Sequence, residues 1–296
     1  MEPAILSELG IQGHTNVYNM STEVSDFINA DQVDLFFADN KPEYVFFVGA
    51  RSGGIRANQQ YPAELIRENL LAECHVIHSS YQHGAKKLLY LASSCCYPRD
   101  CPQPMKEDSL LTGYFEPTND AYAMAKIAGI TLCQAYRRQY GANFICAIPA
   151  DTFGPGDDFS SEDSHVIPAL IRRMHVAKQD CAPFVEIWGT GTPQRDFIFN
   201  SDVADACILL MGRYNESKPI NVGGGSAISI GALAKAVKEV VDYTGDLRFD
   251  SSKPDGMPMK LLDTSKLLEM EWRPKTSLQQ GLEKTYEAFS DEIARR

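Results

Sequence analysis

The sequence predicts an α/β protein built on a doubly wound parallel sheet, with a smaller second domain interleaved into it. Three observations carry this expectation. Through the first half, short apolar runs alternate with long amphipathic stretches, the pattern of strands buried on both faces and joined by helices. After Pro149 that rhythm gives way to Gly-, Pro- and Asp-rich segments, beginning Phe153-Gly-Pro-Gly-Asp-Asp158, which suit a loop-built ligand site. No repeat or low-complexity stretch interrupts the 296 residues, a length that can bury a large core.

Taken in order, Met1-Glu-Pro-Ala-Ile-Leu6 reads as the opening of a helix, and a strand is expected near Val17-Tyr18. Tyr44-Val-Phe-Phe-Val48 reads as a buried strand running into the loop Gly49-Ala-Arg-Ser-Gly-Gly54. Helical periodicity runs from Ala63 to Tyr81, followed by the strand Lys87-Leu-Leu-Tyr-Leu-Ala92. Tyr122 to Tyr140 is a second long helix, and Asn143-Phe-Ile-Cys-Ala-Ile148 another strand. Further strands are expected at Val185–Trp188, Asp196–Phe199 and Ile220–Val222, with Gly223-Gly-Gly225 as a turn rather than a phosphate loop. An amphipathic helix follows at Ile230–Tyr243, and Ser277–Ile293 closes the chain.

Apolar residues make up 44% and charged residues 23%, ordinary for a globular protein. The net charge of −11 argues against nucleic acid or an anionic membrane as partner, because phosphate surfaces need clustered Lys and Arg. No apolar run reaches transmembrane length, and Glu2, Glu8 and His14 interrupt any signal-peptide pattern, so a cytoplasmic address is expected. The eight cysteines include no Cys-x-x-Cys pair, which argues against a structural metal or a disulfide framework. His75, His78, His83 and His175 lack ligand spacing and read as surface residues.

The chemistry begins at Tyr122-Ala-Met-Ala-Lys126. Residues four apart share a helix face, so an ammonium lies beside a phenol and favours its ionised form. Alone, this spacing is commonly a solvated helix face. Its setting adds weight, because Leu91-Ala-Ser-Ser94 follows a buried strand, where ligand sites open in such sheets.

Several stretches then resemble the GDP-L-fucose synthase family of extended short-chain dehydrogenases/reductases. They are Arg51-Ser-Gly-Gly-Ile55, Ser93-Ser-Cys-Cys-Tyr-Pro98, the run Glu116–Gly129, Asp163-Ser-His-Val-Ile-Pro-Ala-Leu170, Trp188-Gly-Thr-Gly-Thr-Pro-Gln-Arg195 and Lys253-Pro-Asp-Gly256. The similarity runs in order from about residue 4 to the C-terminus.

The resemblance implies a Rossmann-like fold and NADPH-dependent conversion of GDP-4-keto-6-deoxy-D-mannose to GDP-L-fucose, by epimerisation at C3 and C5 and reduction at C4. It implies Ser93, Cys95, Tyr122, Lys126 and His165 as catalytic residues. Ser93 and Tyr122 would hold the keto oxygen, and Cys95 and His165 would exchange protons on opposite ring faces. Leu91, Ser93, Ser94, Lys126, Pro149, Asp151, Thr152 and His165 would line the NADP site. Arg173, Trp188, Arg195 and Asp255 would contact the GDP-sugar, and a homodimer is expected. Residues 1–154 with about 197–224 would form the dinucleotide-binding-type domain, and 155–196 with 225–296 the substrate domain. Read without the resemblance, Cys95 is a small buried residue before it is a catalytic one, His165 a solvated or capping one, and Arg173 part of a solvated Arg172-Arg173 face; Cys96 reads as the core thiol of the pair.

Departures from the family stand beside these matches. Relatives open with a strand and a Gly-x-x-Gly-x-x-Gly turn, whereas this sequence opens at the helix that follows, with Glu2 where the third glycine is expected. A sheet lacking its first strand is therefore expected. Asn19-Met-Ser-Thr-Glu-Val24 carries no arginine for a 2′-phosphate, Asp151 stands in place of an Asn, and Met259 in place of a basic residue. Doubtful NADP binding follows, with two alternatives: epimerisation without hydride transfer, or a non-catalytic protein that retains the fold.

Overall fold

The structure, a computed structural model, describes residues 1–24, 26–49, 51–159 and 164–295. Two helices, α1 (Glu2–Ile11) and the single turn α2 (Met20–Glu23), lead to α3 (Ala30–Asn40) and the strand β1 (Tyr44–Phe47). The short α4 (Ile55–Gln60) precedes the long α5 (Pro62–Gln82), then come β2 (Lys87–Leu91), α6 (Asp120–Tyr140) and β3 (Phe144–Pro149). The second half adds β4 (Asp151–Phe153), α7 (Val166–Gln179), β5 (Phe184–Trp188), β6 (Gln194–Phe199), α8 (Asn200–Arg213) and β7 (Ile220–Val222). It ends with β8 (Ala227–Ser229), α9 (Ile230–Val241), β9 (Asp246–Asp250), β10 (Met259–Lys260), α10 (Ser265–Glu269) and α11 (Leu278–Arg295).

The main sheet has the order β1-β2-β3-β7, all parallel, with Tyr44 opposite Lys87, Leu89 opposite Ile145 and Ile148 opposite Asn221. Every residue of β2 and β3 is buried, as the unbroken apolar runs require. Successive side chains on a strand point to opposite faces, so Lys87 and Tyr90 of β2 report on the two covering layers. Lys87 reaches the C-terminal end of α8, where its Nζ donates to the carbonyls of Leu210, Met211 and Tyr214. Tyr90 lies under α6, where a Cβ on Gly129 would come within 2.5 Å of its hydroxyl. Helices therefore cover both faces, the doubly wound arrangement the sequence predicts.

The strand expected near Val17 is absent. Residues 14–19 are coil, with Val17 and Tyr18 39% and 46% exposed. A strand forms only where a neighbour accepts its backbone hydrogen bonds, and among the described residues none lies alongside. β1 is accordingly an edge, paired with β2 alone among the described strands.

Ala150 interrupts the run from β3 to β4, and there the chain leaves the main sheet for a second one ordered β10-β6-β4, with β8 antiparallel to β6. β5 pairs with β9. Two apolar cores result. One surrounds the main sheet (Val76, Leu89, Ile148, Val203), and the other gathers α7, α9 and α11 around Ile171, Leu233 and Leu282. They interleave: Phe153 and Phe199 belong to the second, while Leu262, Leu267 and Trp272 pack into the first.

Asp196 of β6 joins the two parts. It is 2% exposed and accepts the backbone N–H groups of Gly224 (2.9 Å) and Leu262 (3.4 Å). Burial outweighs those bonds and pushes its carboxyl up to about 7. The unfolded carboxyl titrates near ~4, so between about pH 4 and pH 7 the folded protein holds a proton the unfolded chain has released. This contribution makes stability fall as pH rises through that window. Asp196→Asn should flatten the decline, measured as urea midpoints of parent and variant across the same range.

Candidate active site

The strands of the main sheet release their loops at one edge, and the site is built there. Leu91 ends β2 in a buried position, and the next residues close a 3₁₀ turn over Ser94–Cys96. Ser93 caps that turn, its Oγ accepting the N–H of Cys95 at 3.2 Å. Such a cap pins hydroxyl and thiol to one rigid segment. Cys95 is half-buried, whereas Cys96 is fully buried with its thiol pKa raised, chiefly by desolvation. The divergent reading of the two adjacent cysteines matches these positions.

Two groups that the sequence reading did not single out face the Cys95 sulfur. Asn119, at the N-cap of α6, donates from Nδ2 to Sγ at 3.1 Å. Lys260 of β10 brings its Nζ within 4.0 Å of the same sulfur and 2.7 Å of Asp151 Oδ1. Burial works against the Lys260 ammonium, but Asp151 and then Cys95 hold its pKa above the ordinary lysine value. The available signal was a single lysine enclosed by Met259 and Leu261, a charge in an apolar segment, and an Asn just before a helix.

Asp151 is the electrostatic centre. Desolvation would raise its pKa, yet Lys260 and then Arg195, whose Nε lies 3.9 Å from Oδ2, hold it below the usual carboxylate range. Ser94 Oγ donates to Oδ1 at 3.5 Å. His165, exposed at the N-cap of α7, is near enough for its charge to lower the pKa of both Asp151 and Asp157. Cys95 and His165 thus approach the Asp151–Lys260 pair from different elements. Asp163, which opens the motif containing His165, lies outside the described residues, as does Ala50 of the loop after β1.

Tyr122 and Lys126 occupy the first turns of α6. The expected acidification of Tyr122 by Lys126 does not occur here. The Lys126 ammonium lies 3.3 Å from Glu73 of α5 and is spent on that carboxylate. Burial, followed by Cys95, Cys96 and Glu73, pushes the Tyr122 phenol well above its ordinary value, with a hydrogen bond to Ser93 acting the other way. Pro149 is buried at the end of β3, and Thr152 Oγ1 donates to the Ala150 carbonyl at 3.1 Å.

Farther along, Arg173 and Lys253 face Trp188, their cations 5.9 and 5.3 Å from its ring. Arg173 also donates to the Glu186 carbonyl at 3.4 Å, so it is not a free helix-face cation. Asp255 closes the loop after β5. Its Oδ1 accepts Thr190 N at 2.7 Å, its Oδ2 accepts Thr190 Oγ1 at 2.9 Å, and its carbonyl accepts Arg195 Nη2 at 3.3 Å. Any Cβ at Gly189, where φ is +81°, would strike that carboxylate at 2.2 Å. The residues expected to hold GDP-sugar thus lie in two connected groups, Arg173 with Trp188 and Arg195 with Asp255. Of the histidines read as surface residues, His78 is exposed and His75, His83 and His175 partly so; His83 meets Asp34 and His78 meets Tyr136, each at 2.7 Å.

The family model described as NAD dependent epimerase/dehydratase family matches residues 7–223. GDP-L-fucose synthase 1 of Arabidopsis thaliana is 48% identical over 99% of this chain and 91% of its own length. GDP-L-fucose synthase of Sinorhizobium fredii is 51% identical over 91% of this chain and 86% of its own. This chain belongs to the GDP-L-fucose synthase family. A GDP-L-fucose synthetase from Naegleria fowleri, bound to NADP, superposes with a TM-score of 0.89 at 26% identity, covering 99% of this chain and 91% of that one. A GDP-6-OMe-4-keto-L-xylo-heptose reductase from C. jejuni gives 0.92 at 33% identity, covering 98% and 94%.

The nicotinamide half of a dinucleotide fits the residues present. Lys126 Nζ, fully buried four residues along α6 from Tyr122, pairs with Glu73 at 3.3 Å without hydrogen-bond geometry, which leaves ammonium protons unmatched. A buried donor of that kind calls for a partner such as a ribose hydroxyl. At the first turn of α1, Glu2 accepts from Asn19 Nδ2 at 2.7 Å, and a glycine-rich pyrophosphate cradle is not found among the described residues. Lys260→Met is expected to lower turnover roughly 10- to 100-fold with an unchanged far-UV CD spectrum, because it removes the ammonium that lies 4.0 Å from the Cys95 sulfur and 2.7 Å from Asp151.

Proposed function

We propose that this chain converts GDP-4-keto-6-deoxy-D-mannose to GDP-L-fucose, inverting C3 and C5 and reducing C4. The observation that carries the reading is the turn after β2, which sets Cys95 and Ser93 beside the Tyr122–Lys126 pair and under the cations of Lys260 and Arg195. Protons on carbons flanking a ketone become removable once the ketone oxygen is held by donors. In the proposed sequence Ser93 and Tyr122 donate to that oxygen. The Cys95 thiolate takes the carbon-bound proton, the C–H electrons pass into the enolate, and His165 returns a proton to the opposite face. NADPH, when bound, supplies the hydride to C4. Tyr122 then gives its proton to the C4 oxygen, while Lys126 holds the nicotinamide ribose, with Leu91, Ser94, Pro149, Asp151 and Thr152 lining the ring pocket.

Arg195 and Lys260 are the proposed diphosphate ligands, and Trp188 with Arg173 the apolar and cationic wall for the nucleotide. The same reading divides the chain into a dinucleotide-binding domain (1–154 with about 197–224) and a substrate domain (155–196 with 225–296). The two apolar cores follow that division apart from crossings such as Phe153 and Phe199, which pack in the second core, and Leu262, Leu267 and Trp272, which pack in the first. A homodimer is part of the same reading. Its support is the aromatic surface of α5 and α6, where Tyr81 stacks on Tyr140 at 4.4 Å and both are exposed. A reducing, cytoplasmic setting suits a base that acts as thiolate, and all eight cysteines are free. Among the described residues no helix is long and apolar enough to cross a membrane.

Glu2 at the head of α1 favours a second reading, epimerisation without hydride transfer, since a carboxylate repels pyrophosphate. One experiment separates them. The protein is incubated with the keto-sugar nucleotide in deuterated water, with and without NADPH. Deuterium at C3 and C5 together with NADPH oxidation is expected, and Cys95→Ala should lose the exchange. Exchange alone would support the second reading; neither signal would overturn both.

A further inference from the structure

The Tyr122–Lys126 pair has a third layer beneath it. Lys126 and Glu73 are 1% and 2% exposed, and their charged groups lie 3.3 Å apart between α5 and α6. Tyr90 of β2 completes the cluster, donating its hydroxyl to Glu73 Oε1 at 2.6 Å and placing its ring 4.8 Å from Lys126 Nζ. Tyr90 can enter because Gly129 leaves the facing side of α6 bare. Glu73 Oε2 has no hydrogen-bond partner. Such a half-satisfied carboxylate in an apolar layer is costly, and an uncharged side chain of the same shape would remove that cost.

We propose that Glu73 is a positioning residue of the reductase site: the buried counter-ion, fixed by Tyr90, that keeps the Lys126 ammonium charged and aligned beneath Tyr122. A lone ammonium in this layer would release its proton. Burial lowers the pKa of Lys126, and Glu73 is the largest influence raising it. The groups facing the cluster are few: Tyr90 from β2, Cys96 from the 3₁₀ turn, Tyr122 and Cys133 from α6 itself, and Cys74 beside Glu73 on α5. Among these facing groups Glu73 is the one carboxylic acid; burial raises its pKa above the ordinary carboxylate value, and the Lys126 ammonium, then the Tyr90 hydrogen bond, pull it back down. Its carboxylate also adds to the rise in the Tyr122 pKa, behind burial, Cys95 and Cys96.

The inference rests on the reductase reading, so its test includes a measurement that needs no turnover. In protein carrying isotope-labelled lysine, the Lys126 Cε resonance, assigned with Lys126→Arg, is titrated in parent and Glu73→Gln. Gln keeps the shape and the Tyr90 bond but not the charge. The midpoint is expected to fall by roughly 1–3 pH units in the variant. Tyr90→Phe, which frees Glu73 without removing it, should move the midpoint less and in the same direction, and it serves if Glu73→Gln does not fold. In kinetics with keto-sugar and NADPH, kcat of Glu73→Gln should fall far more at about pH 8 than at about pH 6, with KM within about twofold. Glu73→Asp should recover part of the loss. Equal midpoints in parent and variants would overturn the proposal. A parent that titrates as expected but turns over no substrate would overturn the functional reading and leave the counter-ion role standing.

Discussion

The site depends on one carboxylate at a junction. Asp151 is the first residue of β4, just after the chain steps off the main sheet at Ala150, and it holds Lys260 of β10 and Arg195 of β6 against the turn that follows β2. Without that negative charge, two cations from the second sheet would sit side by side with no reason to converge on the Cys95 sulfur. A carboxylate in this ring also competes for the same cations with any diphosphate that enters. The family resemblance anticipates an amide here, and the replacement converts a neutral contact into an ion-pair network. Such a network is screened little by salt at its depth, so ligand entry must reorganise it.

The second organising fact is the separation of charge by depth. Lys126 faces inward to Glu73, Lys260 faces the thiol, and Arg173 and Lys253 stand at the outer wall around Trp188. The cations at each depth have their own counterparts, so the net charge of −11 says little about the site. An acidic protein holds a locally basic cleft because the Asp151 carboxylate and the backbone carbonyl of Asp255 anchor the arginine and lysine side chains from behind.

Much of the architecture was legible in the sequence. The buried strands at Lys87 and Phe144, the long helices ending at Gln82 and Tyr140, and the change of rhythm after Pro149 all follow from periodicity, and each lies within a few residues of its observed limits. The strand at Tyr44 forms as expected but is buried only at Phe47, because it lies at the sheet edge. The strand near Val17 was misread because a β-rich pair of residues is not a strand without a neighbour's backbone. Cys95, Ser93, Tyr122 and Lys126 were legible through motif and resemblance. Asn119, Lys260 and Glu73 were not, since each acts through a contact across 24 to 165 positions of sequence or between two helices, and no local spacing encodes such a pairing. The ionisation of Tyr122 was misjudged for the same reason: the i, i+4 rule sees Lys126 but not the carboxylate that claims it.

The cap that ties Ser93 Oγ to the amide of Cys95 has one more implication. Hydroxyl and sulfur belong to a segment too short and too tightly bonded to flex between steps. A hexose that must present two different carbons to one sulfur, and later its central carbon to a dinucleotide, has to turn in place while its diphosphate stays clasped. The turning therefore belongs to the sugar, and the room left around the fixed thiol and hydroxyl decides which hexoses can complete the rotation.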